Sequence, residues 1–486
     1  MTYIIGIVLN NGRIGWGFYA LLIFNALTLL YMIYQERHNA YYILIWLFGL
    51  LLFPIMGFVF YILLGRGPRL NKRKRYLRKL KDDKVYHSVL QESFADFERL
   101  RDNNLDLALE MIKFNIRYND SACGLFNRVK IYTDIEQQYE DMLADIAAAK
   151  ESVSVQYFIY KKDHIGIRLR DLMVQKAKEG VKVRLLVDDV GSMLVKRNFF
   201  DALEEAGGEV SRFLSSRWGY FNRNINYRNH RKMVIIDRKY AYIGGANIGD
   251  EYANQTKRKW RDTHMRVEGD AVAFINLRFL QDYAFACKHS VDVEECKFTP
   301  HNITDLLPMQ LISSGPDTER EEIKQTYLKL IYSAKKRIWI QTPYFIPDDA
   351  FQDALLTAIK SGIDVRIMIP GIPDKKYVYY ATLSYVYDLV KAGAKVYKYP
   401  AFLHSKTLLV DDQVSSLGTF NIDIRSFKLH FEATCLMYGT EITERMSDIF
   451  ENDMKVSNMV TVEDVRLRKR SERMKEGVMR IISPLL

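Results

Sequence analysis

Hydrophobic residues crowd the first 65 positions of the chain and are then spread more evenly. Residues 14–34 and 40–65 carry no charged side chain, and each is long enough to cross a bilayer as a helix, which takes about 20 residues. Only Gln35, Glu36, Arg37, His38 and Asn39 separate them, so the pattern predicts a tight two-helix transmembrane hairpin. Trp16, Tyr34, Tyr41 and Tyr42 fall near its ends, where amphipathic rings favour the membrane interface. Pro54 and Gly57 interrupt the second stretch, which membrane helices tolerate when neighbours satisfy the freed backbone groups. Beyond residue 65 short β-rich runs alternate with helical stretches, the pattern of an α/β protein.

That α/β region repeats itself. Residues 152–160 (SVSVQYFIY) match 337–346 (RIWIQTPYFI), and each run follows an Ala-Lys pair, Ala149-Lys150 and Ala334-Lys335. A second strand follows in each copy, beginning at Gly180 and Gly362, and a third begins at Gly207 and Gly393. Strands separated by helices predict parallel pairing. The expected layout is therefore a hairpin over 1–65 and a basic, helical linker over 66–125. Two lobes follow, over 126–300 and 301–486, with mixed, largely parallel sheets.

Each copy ends in the same polar motif. The first has His230-Arg-Lys232 and then Asp237, followed by Gly244-Gly-Ala-Asn247; the second has His404-Ser-Lys406 and then Asp411, followed by Gly418-Thr-Phe-Asn421. Histidine and asparagine are 17 positions apart in both. The apolar residues between lysine and aspartate predict a buried strand, and His and Lys, two apart, point to the same face. One H-x-K-x-x-x-x-D arises readily by composition; two copies with matching flanks do not. The chemistry this set suits is phosphodiester exchange. One histidine attacks phosphorus, the other protonates the leaving oxygen, the lysines neutralise the phosphoryl oxygens, and Asn247 and Asn421 bind them directionally. The lysines take the place of a divalent ion, so no metal and no cofactor is expected. Asp237 and Asp411 belong to the motif, but their strand-end positions also suit a structural role.

With these residues in view, the chain resembles the bacterial cardiolipin synthases of the phospholipase D superfamily over nearly its full length. Supporting runs are Trp260-Arg-Asp-Thr-His264, Ser314-Gly-Pro-Asp317, Thr342-Pro-Tyr-Phe345 and the terminal Ser-Pro-Leu-Leu486. The resemblance implies two phospholipase D-like lobes packed face to face about a pseudo-twofold axis, with both motifs in one active site. It implies transfer of phosphatidyl from one phosphatidylglycerol to another, giving cardiolipin and glycerol through a phosphatidyl-histidine. It also implies His230 as nucleophile and His404 as general acid, then base. Similar enzymes place a histidine-orienting carboxylate at Glu432, 28 positions after His404; in the first copy that position is Arg258, and Asp262 is the candidate instead. A membrane-bound phospholipase D hydrolase and a membrane-tethered phosphodiesterase or nuclease remain the alternatives.

Charge adds orientation. The net charge is +11, and Arg66, Arg69, Lys72, Arg73, Lys74, Arg75, Arg78, Lys79, Lys81 and Lys84 follow the second apolar stretch. The positive-inside rule places this cluster in the cytoplasm, so both termini and the catalytic body are expected to face the anionic inner leaflet of the bacterial cell membrane. The charge suits either nucleic acid or acidic lipid, and the resemblance implies phospholipid and no nucleic acid as partner. Cys123, Cys287, Cys296 and Cys435 form no C-x-x-C pair and no metal-ligand spacing, consistent with thiols in a reducing compartment. The other histidines, His430 among them, have no partner pattern. The C-terminal stretch from Arg466, basic and then apolar, suits either a membrane surface or packing on the second lobe.

Overall fold

The computed structural model describes residues 12–35, 40–64, 106–215, 226–287, 295, 301–318 and 320–483. They fall into a small unit built around residues 12–64 and a large one holding nearly all the rest. The basic cluster after residue 65 lies outside the described residues.

In the small unit the first apolar stretch is one helix, Gly12–Gln35. The second is not. Pro54 has no N–H to donate and its ring clashes with the preceding turn, so the stretch divides into Ala40–Leu52 and Pro54–Leu64. The halves fold against each other, with the Trp46 and Tyr61 rings meeting edge-on at 5.3 Å. Gly57 permits this, because a Cβ there would stand 2.4 Å from the Gly49 carbonyl oxygen. Asn25 Nδ2 donates to the Pro54 carbonyl at 3.1 Å. At 1.5 Å per residue the halves are about 20 and 16 Å long, short of a hydrocarbon core of about 30 Å. Among the described residues, no helix is long and apolar enough to cross a membrane.

The large unit is built on one continuous sheet. Strands Cys123–Tyr132 and Leu306–Ser314 pair antiparallel at its centre, Cys123 opposite Gln310. Outward on one side come His264–Gly269, Tyr240–Gly244, Met233–Ile236, Ser152–Tyr157, Lys182–Asp188 and Glu209–Phe213. Outward on the other come His430–Tyr438, Val414–Gly418, Thr407–Val410, Arg337–Gln341, Asp364–Pro370 and Lys395–Tyr399, with Asn458–Val460 at the edge. The halves repeat strand for strand except for Asn458–Val460, which has no counterpart in the first. Cys123–Tyr132 hands the order from one half to the other, its first residues pairing with Leu306–Ser314 and its last with His264–Gly269, and the inner faces of the two halves share a core.

The expectation of largely parallel sheets is corrected. Among the long strands, parallel pairing is confined to Ser152–Tyr157, Lys182–Asp188 and Glu209–Phe213 in one half and Arg337–Gln341, Asp364–Pro370 and Lys395–Tyr399 in the other; the pairings between these and the centre are antiparallel. The reason is connection length. A parallel pair needs a crossover of about a dozen residues or more, and helices supply it only among the first three strands. After the motif strand the chain turns back within three residues, Ile236 pairing with Tyr240 and Val410 with Val414.

Helix Asp106–Asn119, expected in the linker, belongs to the second half's core. Its Leu107, Met111 and Ile112 pack with Ile323, Leu330 and Val414, and Asn115 donates to Gln310 and Tyr438. A different core, holding Met233, Phe279, Leu409, Leu417 and Phe450, is shared by both halves. The C-terminal helix Arg470–Ile482 packs on Lys376–Ala392, Arg480 pairing with Asp388.

Candidate active site

Two short strands set the site. Arg228–Asn229 pairs in parallel with His430–Phe431, and Phe402–Leu403 pairs in parallel with Trp260–Arg261. Each pairing joins the segment before one half's histidine to the segment before the other half's carboxylate. Register then fixes the next step. His230 N donates to the Phe431 carbonyl at 2.9 Å and His404 N to the Arg261 carbonyl at 2.7 Å, so each histidine lies opposite the next residue of its partner segment.

The result is a crossed pair. His230 Nδ1 donates to Glu432 at 2.9 Å, and His404 Nδ1 donates to Asp262 at 2.6 Å. Each carboxylate thus serves the histidine of the other copy, whereas counting along the sequence ties Glu432 to His404 and Asp262 to the first copy. With Nδ1–H committed, Nε2 of each ring keeps its lone pair. The copies make room for their carboxylates differently. Thr419 Oγ1 donates to Glu432 at 2.5 Å. At the equivalent Gly245, a Cβ would stand 2.0 Å from Asp262 Oδ1, so glycine is what admits the carboxylate.

All six of these charged or titratable groups are buried, Lys232 and Lys406 included. Each lysine donates to the carbonyl of its own histidine, Lys232 at 2.5 Å. Burial pushes Lys406 down to about 8 and Lys232 well below the usual lysine value, against the opposing pull of Asp262 and Glu432. Burial and then the lysine charges push His404 down to about 4 and His230 well below its ordinary value. Burial would raise Asp262, but the charges of His404 and Lys406 outweigh it and hold the group below the usual range. Both imidazoles are therefore neutral at pH 7, and the two lysines share the field of Asp262 and Glu432.

The motif aspartates and asparagines go elsewhere. Asp237 accepts the backbone N–H groups of Lys150, Glu151 and Ser152, and Asp411 those of Lys335, Lys336 and Arg337. Both sit at φ 51°, left-handed backbone that Asp tolerates better than most residues. They latch the hairpin turn to the loop entering the neighbouring strand, at the strand end opposite the histidine. Asp411→Ala is therefore expected to lower Tm by several degrees, while the residual folded enzyme keeps its turnover, because three N–H bonds to a carboxylate, each worth about 1.5–3 kcal/mol, are lost. Thermal melts beside assays normalised to folded protein check this. Asn247 is also occupied: its Oδ1 accepts Ile159 N and its Nδ2 donates to Tyr252. Asn421 Oδ1 is buried without a partner.

Aromatic rings wall the histidines. Phe158 meets His230 at 5.1 Å between centroids, and Trp260 meets His404 at 5.4 Å. The symmetry mate of Trp260 is His430, whose ring lies 5.4 Å from His230 and whose Nε2 accepts from Arg425. The sequence reading set His430 aside; the repeat aligned on the carboxylates, with His430 and Trp260 each two residues before, is the signal that finds it. Among the described residues, His230, His430 and Glu432 bring ligand atoms within 4.8 Å of one another, a donor set able to hold a metal ion. Beneath the site, Arg231 pairs with Asp282 and Arg261 with Asp453.

The family described as "Cardiolipin synthase, PLD-like domain" matches residues 142–260 and 327–454, and the phospholipase D-nuclease N-terminal family matches 20–66. The chain belongs to the bacterial cardiolipin synthases of the phospholipase D superfamily. It is 42% identical to the major cardiolipin synthase of Bacillus subtilis (strain 168), over 96% of this chain and 98% of that one. A cardiolipin synthase of Clostridium perfringens (strain ATCC 13124) is 40% identical over 93% and 95%, and one of Staphylococcus aureus (strain Mu50) 38% over 99% and 97%. The crystal structure of phosphatidylserine synthase from Haemophilus influenzae Rd KW20 shares the fold, with a TM-score of 0.61 at 15% identity over 77% of this chain and all of that one. As a member of this family the chain is a phosphatidyltransferase.

Proposed function

We propose that the enzyme transfers phosphatidyl from one phosphatidylglycerol to a hydroxyl of another, releasing glycerol, with His230 as nucleophile and His404 as acid and then base. The observation that carries this reading is the crossed pair of carboxylate-held imidazoles, each beside a buried lysine. Nε2 of His230 attacks phosphorus; the glycerol oxygen leaves with a proton from His404. His404 then takes the proton of the incoming hydroxyl, which attacks phosphorus and frees His230. A bound phosphodiester adds negative charge beside Lys232 and Lys406, which favours the protonated form of His404, and His404 takes up its proton from solvent as the anion binds. Glu432 and Asp262 hold the rings, and Asp237 and Asp411 serve the fold. Purified protein given labelled phosphatidylglycerol alone is expected to yield cardiolipin and glycerol, with added glycerol driving the reaction backwards. Phosphatidic acid as the product at high lipid density overturns the transferase reading in favour of hydrolysis.

Lys232→Ala and Lys406→Ala are each expected to cut turnover roughly a hundred- to a thousandfold, the size of losing one transition-state donor at about 3–4 kcal/mol. Membrane association should hardly change. Neutralising Lys72, Arg73, Lys74 and Arg75 together is expected to do the reverse, weakening binding to anionic vesicles in a salt-dependent way.

The reading includes a two-span anchor, residues 14–34 and 40–65, with residues 35–39 outside and the catalytic body on the inner leaflet. It is supported by the apolar composition and the basic cluster; it requires the bend at Pro54 to open in the bilayer. Asn39→Cys should react with an impermeant reagent outside intact cells, and Glu205→Cys should not. Labelling of Glu205→Cys overturns this topology.

A further inference from the structure

The two loops that follow the second parallel strand of each half carry exposed apolar tips. After Lys182–Asp188 comes Met193-Leu194, with Leu194 86% exposed, and then exposed Lys196 and Arg197. After Asp364–Pro370 comes Ile372, 53% exposed, and then exposed Lys375 and Lys376. These are symmetry-related loops with the same order, an apolar tip and then a basic pair. Ligands bind outside the carboxyl ends of such strands; the first loop is one ring from His230, and the second reaches His404 through Arg258 and Phe402.

Their bases are fixed. Asp188 accepts N–H groups from Val190 and Gly191 and also from Asn229, the residue before His230. Ser192 donates to the Phe158 carbonyl, and Phe158 is the ring against His230. In the other half, Arg258 donates to the Ile372 carbonyl and its guanidinium lies over the Phe402 ring, which borders His404. The loop acids turn inward: Asp189 pairs with Arg212, and Asp374 accepts from Tyr344. What faces solvent is apolar and cationic.

Exposing a leucine and an isoleucine on anchored loops costs solubility and contributes nothing to either core. We infer that Leu194 and Ile372 enter an anionic phospholipid surface, with the two basic pairs on its headgroups, so that the mouth of the site opens onto the bilayer and lipid reaches His230 and His404 without crossing water. Apolar burial and cationic attraction act together at such a surface. This rests on phospholipid being the substrate.

The test uses the full chain in proteoliposomes, with Cys287 and Cys296 replaced by serine. Leu194→Cys and Ile372→Cys are each labelled with an environment-sensitive fluorophore, as is Lys178→Cys, at the opposite end of the strands. In phosphatidylglycerol membranes with brominated acyl chains, the labels at 194 and 372 are expected to shift blue and be quenched, and the label at 178 is not. Equal quenching in neutral phosphatidylcholine overturns the role of the basic pairs. No quenching at 194 and 372 overturns the surface, and a signal that follows protein density rather than bromination assigns it to a second copy. Leu194→Asp and Ile372→Asp are expected to lower kcat/KM at least tenfold on phosphatidylglycerol vesicles but less than twofold on monomeric short-chain phosphatidylglycerol. Equal losses on both make the loops part of the catalytic scaffold and overturn the inference. Quenching by an enzyme that makes no cardiolipin leaves the surface standing and removes the proposed function.

Discussion

His230→Ala is expected to form no phosphatidyl-enzyme with any donor and to abolish cardiolipin formation, whereas His404→Ala should still accumulate phosphatidyl-His230 slowly. The asymmetry follows from the division of labour. Attack needs only a neutral, oriented imidazole, and the Nδ1–H bond to Glu432 leaves Nε2 of His230 in that state. Departure of the glycerol oxygen needs a proton, and His404, protonated at Nε2 once the phosphodiester is bound, gives it. A donor whose leaving group needs no proton bypasses that requirement, so His404→Ala should accumulate adduct fastest from such a donor. Rapid quenching without acid, followed by peptide mass spectrometry, locates the phosphatidyl group. Finding it on His404 in the wild-type enzyme reverses the two roles and keeps the two-histidine mechanism.

The second large effect belongs to the crossed carboxylates. Glu432→Gln is expected to cripple formation of the phosphatidyl-histidine, and Asp262→Asn the steps that move a proton through His404, each by roughly three to four orders of magnitude, as when the carboxylate behind a catalytic histidine becomes an amide. An amide in place of the carboxylate can present an N–H to Nδ1, which forces the wrong tautomer and removes the support for an imidazolium. The crossing gives this prediction its edge. If each carboxylate served its own copy, Glu432→Gln would behave like a His404 variant and accumulate adduct; with the geometry found here, Asp262→Asn does so. Single-turnover assays that follow adduct and product separately distinguish the two patterns.

Sequence periodicity and the repeat were enough to place much of this. The alternation through Met233–Ile236 and Thr407–Val410 puts each lysine on the face of its histidine, and the common spacing to Asn247 and Asn421 aligns the two halves. These features are legible because strand faces and short turns are encoded within about ten residues. The latch roles of Asp237 and Asp411 are of the same kind: a strand-end Asp in left-handed backbone is a local feature.

What the sequence left open depends on contacts between residues far apart in the chain. Glu432 and His230 stand 202 positions apart, and they meet because Asn229 falls opposite Phe431 in a two-residue strand pairing. A slip of one residue would turn the carboxylate away, and no local pattern specifies that register. The same holds for helix Asp106–Asn119, which looks like a linker until the second half supplies the surface that buries Leu107 and Met111, and for His430, ordinary in the sequence and a wall of the site once the halves pair. The sequence by itself determined the strands, the faces of the motif residues and the twofold repeat. Only the tertiary structure decided which carboxylate serves which histidine, because that choice is made by inter-half register and burial, and both exist only after the two repeats have joined into one sheet.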